Sequence, residues 1–129
     1  MARFDKVENK AGSFRAPLAA AIAIADIGKL QAVSIDTNGR AAIGGAAQTA
    51  ISGLICPVRA MEAGEPIDVM TSGEIEEATM TSGAAFTLGA PVFAHADGTL
   101  DNTSGSGVSV GITVTRATRL VVRCNPATT

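Results

Sequence analysis

Aromatic side chains are nearly missing from this chain of 129 residues. It has no tryptophan and no tyrosine, and its only phenylalanines are Phe4, Phe14, Phe86 and Phe93. Aromatic residues supply much of the burial energy of cores and interfaces. A core built from Ala, Val, Ile, Leu and Thr instead predicts a monomer of modest stability that gains from association. The same scarcity argues against a stacking platform for single-stranded nucleic acid and against an aromatic-lined sugar site.

Charge is also sparse and balanced, with 10 basic and 12 acidic residues and a net charge of −2. No basic stripe of the kind that tracks a phosphate backbone is present, so no nucleic-acid partner is expected. His95 is the only histidine, and Cys56 and Cys124 are the only cysteines. That set is too small for a metal site, and no cofactor is expected. The two thiols are read as buried and free, because a free cysteine packs like a small hydrophobe. The only lysines are Lys6, Lys10 and Lys29. The faint likeness of Ala60-Met61-Glu62 to a biotinyl or lipoyl carrier hairpin therefore fails, since no modifiable lysine sits on a hairpin tip.

No apolar run is long. Leu18 to Ile27 is the most apolar stretch, and Asp26 interrupts it. A membrane span needs about 20 residues, so no membrane partner is expected. The N-terminus, Met1-Ala2-Arg3-Phe4-Asp5-Lys6, carries both signs of charge and no apolar core of a signal sequence. The reading is a soluble protein made in a cytoplasm. The length fits one domain.

What the chain does have is short apolar runs punctuated by glycine. The organising stretch is Leu88 to Cys124. Leu88-Gly89-Ala90-Pro91-Val92-Phe93-Ala94 leads to a turn at Asp97-Gly98, a hairpin signal because such residues tolerate positive φ. Val108, Val110, Ile112 and Val114 then alternate with small or polar residues, the period-two pattern of a half-buried strand. Leu120 to Cys124 closes the series. The same unit recurs upstream: a glycine turn, a short strand, a glycine hairpin and a second short strand. Its first copy runs from Ile27-Gly28 through Asn38-Gly39 to Ile43. Its second runs from Ala63-Gly64-Glu65-Pro66 through Ser72-Gly73 to Ile75. Its third starts at Leu88-Gly89. A further strand with an early glycine follows the first and third copies, at Gly53-Leu54-Ile55 and Gly111-Ile112-Thr113. Short strands at this spacing predict a sandwich or barrel. Pro66 and Pro91 fall at strand starts, where a missing N–H is tolerable.

Three regions follow: an arm over 1–20, a β-rich body over 21–124 and a tail over 125–129. In the arm, Phe4 and Phe14 sit among polar and charged residues, and an aromatic there needs a pocket either on its own domain or on something else. The segment from Ala16 to Ala25 fits both periods. Leu18, Ile22 and Ala25 would share a helical face, and Leu18, Ala20, Ile22 and Ile24 would share a strand face; extended structure is preferred from about Ile22. Ala41 to Ser52 reads as a surface loop or a short helical turn crossing between hairpins, and 101–107 as a loop by composition.

Catalytic chemistry is hard to find. His95 precedes a turn and is expected to be exposed. Glu74, Glu76 and Glu77 with Asp68 read as a solvated strand face, since no base or metal signature accompanies them. No serine has a base and an orienting acid at a recognisable spacing. An enzyme is not expected.

One family resemblance survives. The runs Ala25-Asp26-Ile27-Gly28-Lys29-Leu30, Ala63-Gly64-Glu65-Pro66-Ile67-Asp68-Val69, Leu88-Gly89-Ala90-Pro91-Val92-Phe93, Asp97-Gly98-Thr99-Leu100, Val110-Gly111-Ile112 and Leu120-Val121-Val122 occur in an order that resembles tailed-phage capsid cement, or head decoration, proteins. The resemblance covers roughly residues 22 to 124, and its N-terminal arm is longer and more charged than the family pattern. It implies an all-β fold, a small β-barrel or β-tulip-like sandwich of short antiparallel strands with an extended N-terminal arm. It implies a virion protein on the outer capsid surface, often a homotrimer, that bridges neighbouring major capsid proteins and carries out no chemistry. Arg3, Phe4, Phe14 and Arg15 are the residues expected to contact the capsid or a neighbouring subunit. The competing class is a small β-module that binds a ligand or glycan.

Overall fold

A computed structural model of the chain describes residues 13–45, 51–76, 78–103, 108–113 and 117–124. The strands are β1 (Ser13–Pro17), β2 (Gln31–Ile35), β3 (Ala41–Ile43), β4 (Gly53–Ile55), β5 (Pro66–Met70), β6 (Ser72–Ile75), β7 (Pro91–Ala94), β8 (Leu100–Asp101), β9 (Val108–Thr113) and β10 (Leu120–Arg123). They form two antiparallel five-stranded sheets, ordered β1-β5-β4-β2-β3 and β6-β10-β9-β7-β8. The fold is all-β and sandwich-like, and no closed barrel forms among the described residues. The helical alternative for the Leu18–Ala25 region reduces to one 3-10 turn, Ile24–Asp26.

Counted from its own first strand, each sheet has the same order, 1-5-4-2-3. The molecule is therefore a tandem pair of like units. Both β2–β3 and β7–β8 are closed by the same loop. Gly39 N–H donates to Asp36 O (3.0 Å) in one, and Gly98 N–H donates to His95 O (2.9 Å) in the other. Each is a hydrogen-bonded turn finished by a glycine at positive φ, +77° at Gly39 and +89° at Gly98, as in the common three-residue hairpin. The first and third copies of the glycine-punctuated unit are thus true hairpins. The second is not. Ser72-Gly73 does not turn back; it opens β6, and a single residue, Thr71, separates β5 from β6. The chain passes straight from one sheet to the other there.

The close approach of neighbouring strands fixes the correspondence between the halves. A Cβ on Gly53 would lie 2.5 Å from Val69 Cγ1 and 2.7 Å from Met70 O; one on Gly111 would meet Leu120 Cδ1 and Val121 O. Gly53 therefore corresponds to Gly111, Met70 to Val121, and Leu54 to Ile112. Glycine is required at both places so that β4 and β9 can lie against the next strand.

Two apolar clusters result. Between the sheets, Leu30, Ala32 and Leu54 meet Val92, Ala94, Val110, Leu120 and Val122, with Ala78 and Phe86 buried among them. On the far side of the first sheet, Val33, Ile55, Ile67 and Val69 are covered by Leu18, Ile22 and Met61. Each fully buried Leu, Ile or Val contributes about 1.5–3 kcal/mol, so small side chains suffice when two layers are closed.

Two expectations change. The segment assigned to the arm is, from Ser13, a strand of the first sheet, with Ser13 opposite Met70 and Pro17 opposite Pro66. Pairing with β5 makes 13–17 the edge strand of that sheet; the rest of the expected arm, 1–12, lies outside the described residues. The strict alternation in β9 also fails. Val92 pairs with Gly111 but Phe93 pairs with Ser109, so Val110 is an extra, bulged residue. Such a bulge reverses the inward phase: Thr113 is buried, and Ile112 is 40% exposed.

Candidate interaction surface

Of the four residues expected to make contacts, Arg3 and Phe4 lie outside the described residues. Phe14 and Arg15 are neighbours on β1, an edge strand. Phe14 lies opposite Val69 and is 38% exposed, so its ring is only partly accommodated by its own domain. Arg15 Nε donates to Asp68 Oδ1 at 2.9 Å across the strand pair, with both side chains largely in water. Arg15 and Asp68 form one wall of a shallow groove whose other side is Cys56, Pro57, Val58, Arg59 and Met61. Its volume is about 260 Å³, at the small end for a ligand pocket, and no aromatic residue lines it. Arg59, on the groove wall, donates from Nη1 to Glu65 (3.0 Å), which also accepts from Glu62 N–H (2.6 Å). Those bonds, the backbone one first, hold the Glu65 carboxyl below the usual range.

The thiols differ in placement. Cys124 is buried and Cys56 is exposed, so the expectation of two buried cysteines holds for Cys124 alone. Cys56 follows the end of β4 and opens onto the groove. Desolvation raises both thiols, Cys124 from 9.0 up to about 11. His95 is half-buried, not an exposed loop residue: its Nε2 lies 2.8 Å from Asp101 Oδ1 on the paired strand. Neither cysteine joins it. Glu74 and Glu76 share Arg119, at 2.6 Å and 3.6 Å, so these acids form an ion-paired cluster at the sheet edge and not a bare solvated face. The hydrogen bond that Arg119 donates to Glu74 raises the guanidinium pKa further. No cluster of three or more His, Cys, Asp or Glu suited to a metal occurs among the described residues. No helix among them is long and apolar enough to cross a membrane.

Two surfaces went unread in the sequence. The outer face of the second sheet carries Pro91, Phe93, Ile112 and Val121, exposed or half-buried. The segments over the first sheet display Ile24 and Val58, 78% and 85% exposed. The signal for the first was hidden by the bulge in β9. For the second there was none, because isolated apolar residues in loops are ordinary.

No family model matches the chain, and no curated protein matches it. A solved structure from Mycobacterium phage Patience is similar, with 20% identity, a TM-score of 0.79 and 96% of each chain covered. The likeness is one of fold, and it spans both units of the tandem.

Proposed function

We propose that this chain is a capsid decoration protein that binds the outer surface of a phage head, bridges neighbouring major capsid proteins and stabilises the shell. The observation that carries the reading is the match over 96% of both chains with a phage protein, together with the glycine-turn motifs that resemble cement proteins. The surface chemistry supports it. Glu74 and Glu76 are ion-paired with Arg119, His95 is paired with Asp101, Cys124 is buried, and the groove onto which Cys56 opens is shallow. A scaffold of this kind acts through its surfaces, and many symmetric copies make modest contacts sufficient.

In this reading the protein is a homotrimer, with no enzymatic activity, cofactor, nucleic-acid partner or membrane partner. Arg3, Phe4, Phe14 and Arg15 contact the capsid or an adjacent subunit. Ser13 lies opposite Met70, and Cys124 N–H donates to Thr71 O at 2.8 Å. Ser13 and Cys124, the first and last described residues, therefore lie against adjacent residues, Met70 and Thr71, where β5 passes into β6.

The test is to mix purified protein with undecorated expanded shells and sediment them. Saturable co-sedimentation is expected, and it weakens when residues 1–12 are deleted. Protein that stays in the supernatant at all ratios refutes the reading; full retention after deletion refutes the role given to the arm.

A further inference from the structure

The two like units are stacked back to front. Leu54 and Met70 of the first sheet face the inter-sheet core. Their counterparts in the second sheet, Ile112 and Val121, pair with each other on its outer face. The second unit's lead-in segment, with Ala78 and Phe86, is buried between the sheets, whereas the first unit's lead-in segment, with Leu18 and Ile22, covers the opposite side of the first sheet. The layers therefore run lead-in segment, first sheet, lead-in segment, second sheet. This order leaves two unlike ends.

Both ends carry an apolar patch. At the first, Gly28 N–H donates to Pro57 O at 2.8 Å, which brings Ile27 beside Val58, and Ile24 stands on the adjoining turn. At the second, Pro91, Ile112 and Val121 lie side by side across β7, β9 and β10, with Phe93 further along β7 and the ion-paired Glu74 bordering Val121. A solvated sheet face ordinarily alternates to polar residues, and here the counterparts of core residues have stayed apolar. Inside the chain this same type of face is already covered, by the lead-in segment of the next unit. The contact is thus continuous with one the molecule makes internally.

We infer that the outer face of the second sheet, centred on Ile112 and Val121, receives the Ile24–Ile27–Val58 surface of a second copy of this chain. The contact is heterologous, because the two patches differ. Heterologous contacts close into rings or run on as filaments. The inference rests on the decoration reading and deepens it by naming a self-contact; because the two patches lie at opposite ends of the layered body, the contact joins copies end to end.

The experiment is done in free solution, with no capsid present, so its failure leaves shell binding to be judged separately by sedimentation. Parent protein, Val58→Asp and Ile112→Asp are compared by size exclusion with light scattering, with circular dichroism and thermal melts to verify the fold. Ile112→Thr accompanies them as a milder change should the aspartate disturb the sheet. The parent is expected to form concentration-dependent oligomers, and each folded variant to lose self-association by at least about tenfold. Mixing Val58→Asp with Ile112→Asp is expected to yield a one-to-one dimer, since each retains the patch the other lacks. A monomeric parent at its highest soluble concentration overturns the inference. So do folded variants that keep the parent's mass, or a mixture that remains monomeric.

Discussion

Gly53→Ala and Gly111→Ala test the tandem architecture directly, because the two glycines occupy corresponding places in different sheets. The new methyl of Gly53→Ala would lie 2.5 Å from Val69 Cγ1 and 2.7 Å from Met70 O. Carbon atoms in contact normally sit about 3.5–4.0 Å apart. At Gly111 the obstacle is the Val121 carbonyl, with Leu120 Cδ1 at 3.1 Å. A side-chain end could rotate away, but a backbone carbonyl in a paired strand cannot. Overpacking of this kind costs about 1–3 kcal/mol. It outweighs the roughly 0.4–1 kcal/mol that Gly→Ala contributes by restricting the unfolded chain. A net loss of about 1–2 kcal/mol should lower Tm by about 4–10 °C for each variant in thermal melts followed by circular dichroism. The losses should add in the double variant, since the two contacts are separate. Two variants that melt within about 2 °C of the parent, or opposite effects at the two sites, would refute the close strand approach and with it the correspondence.

Four further outcomes follow from the geometry. Thr113 is buried and its hydroxyl donates to Thr87 O (2.5 Å) and Ala90 O (3.2 Å); Thr113→Val should cost about 1–2 kcal/mol in urea unfolding by stripping those carbonyls of a donor. Cys56 is exposed and Cys124 buried, so a thiol reagent should label one cysteine per native chain quickly and the second only on unfolding. Because burial raises Cys124 from 9.0 to about 11, its contribution is complete below pH 9.0 and is lost as pH rises towards 11, which stability measured against pH in parent and Cys124→Ala should reveal. Hydrogen bonds from the Thr99 hydroxyl and N–H hold the Asp97 carboxyl below its ordinary 3.8. That contribution is present above pH 3.8 and lost as pH falls through the native value, so the gap between parent and Asp97→Ala should close on acidification.

Much of this fold was legible because its turns are chemical statements. Asn38-Gly39 and Asp97-Gly98 announce hairpins, since only glycine takes the final turn position without strain. Pro66 and Pro91 mark strand starts because they lack an N–H. What was not legible depended on tertiary context. Ser72-Gly73 carries the same turn grammar yet lies in an extended crossover, because β6 finds β10 as its partner. The bulge at Val110 reverses the inward phase of β9, and no residue type there signals it. β1 was read as part of a free arm because its partner, β5, lies some fifty residues away in sequence. On the surface, Phe14 and Arg15 were singled out by residue type in a polar segment, and both stand exposed on an edge strand. The Ile112–Val121 face required the register, and the back-to-front stacking required the topology of both sheets.

The most direct measurement is a cryo-EM map of the parent virion. The account places twin-sheet density of this chain on the outside of the head, in contact with two or more major capsid proteins, with residues 1–12 reaching a neighbour. An outer surface free of such density, with the chain assigned to the tail, the interior or no part of the particle, would contradict it.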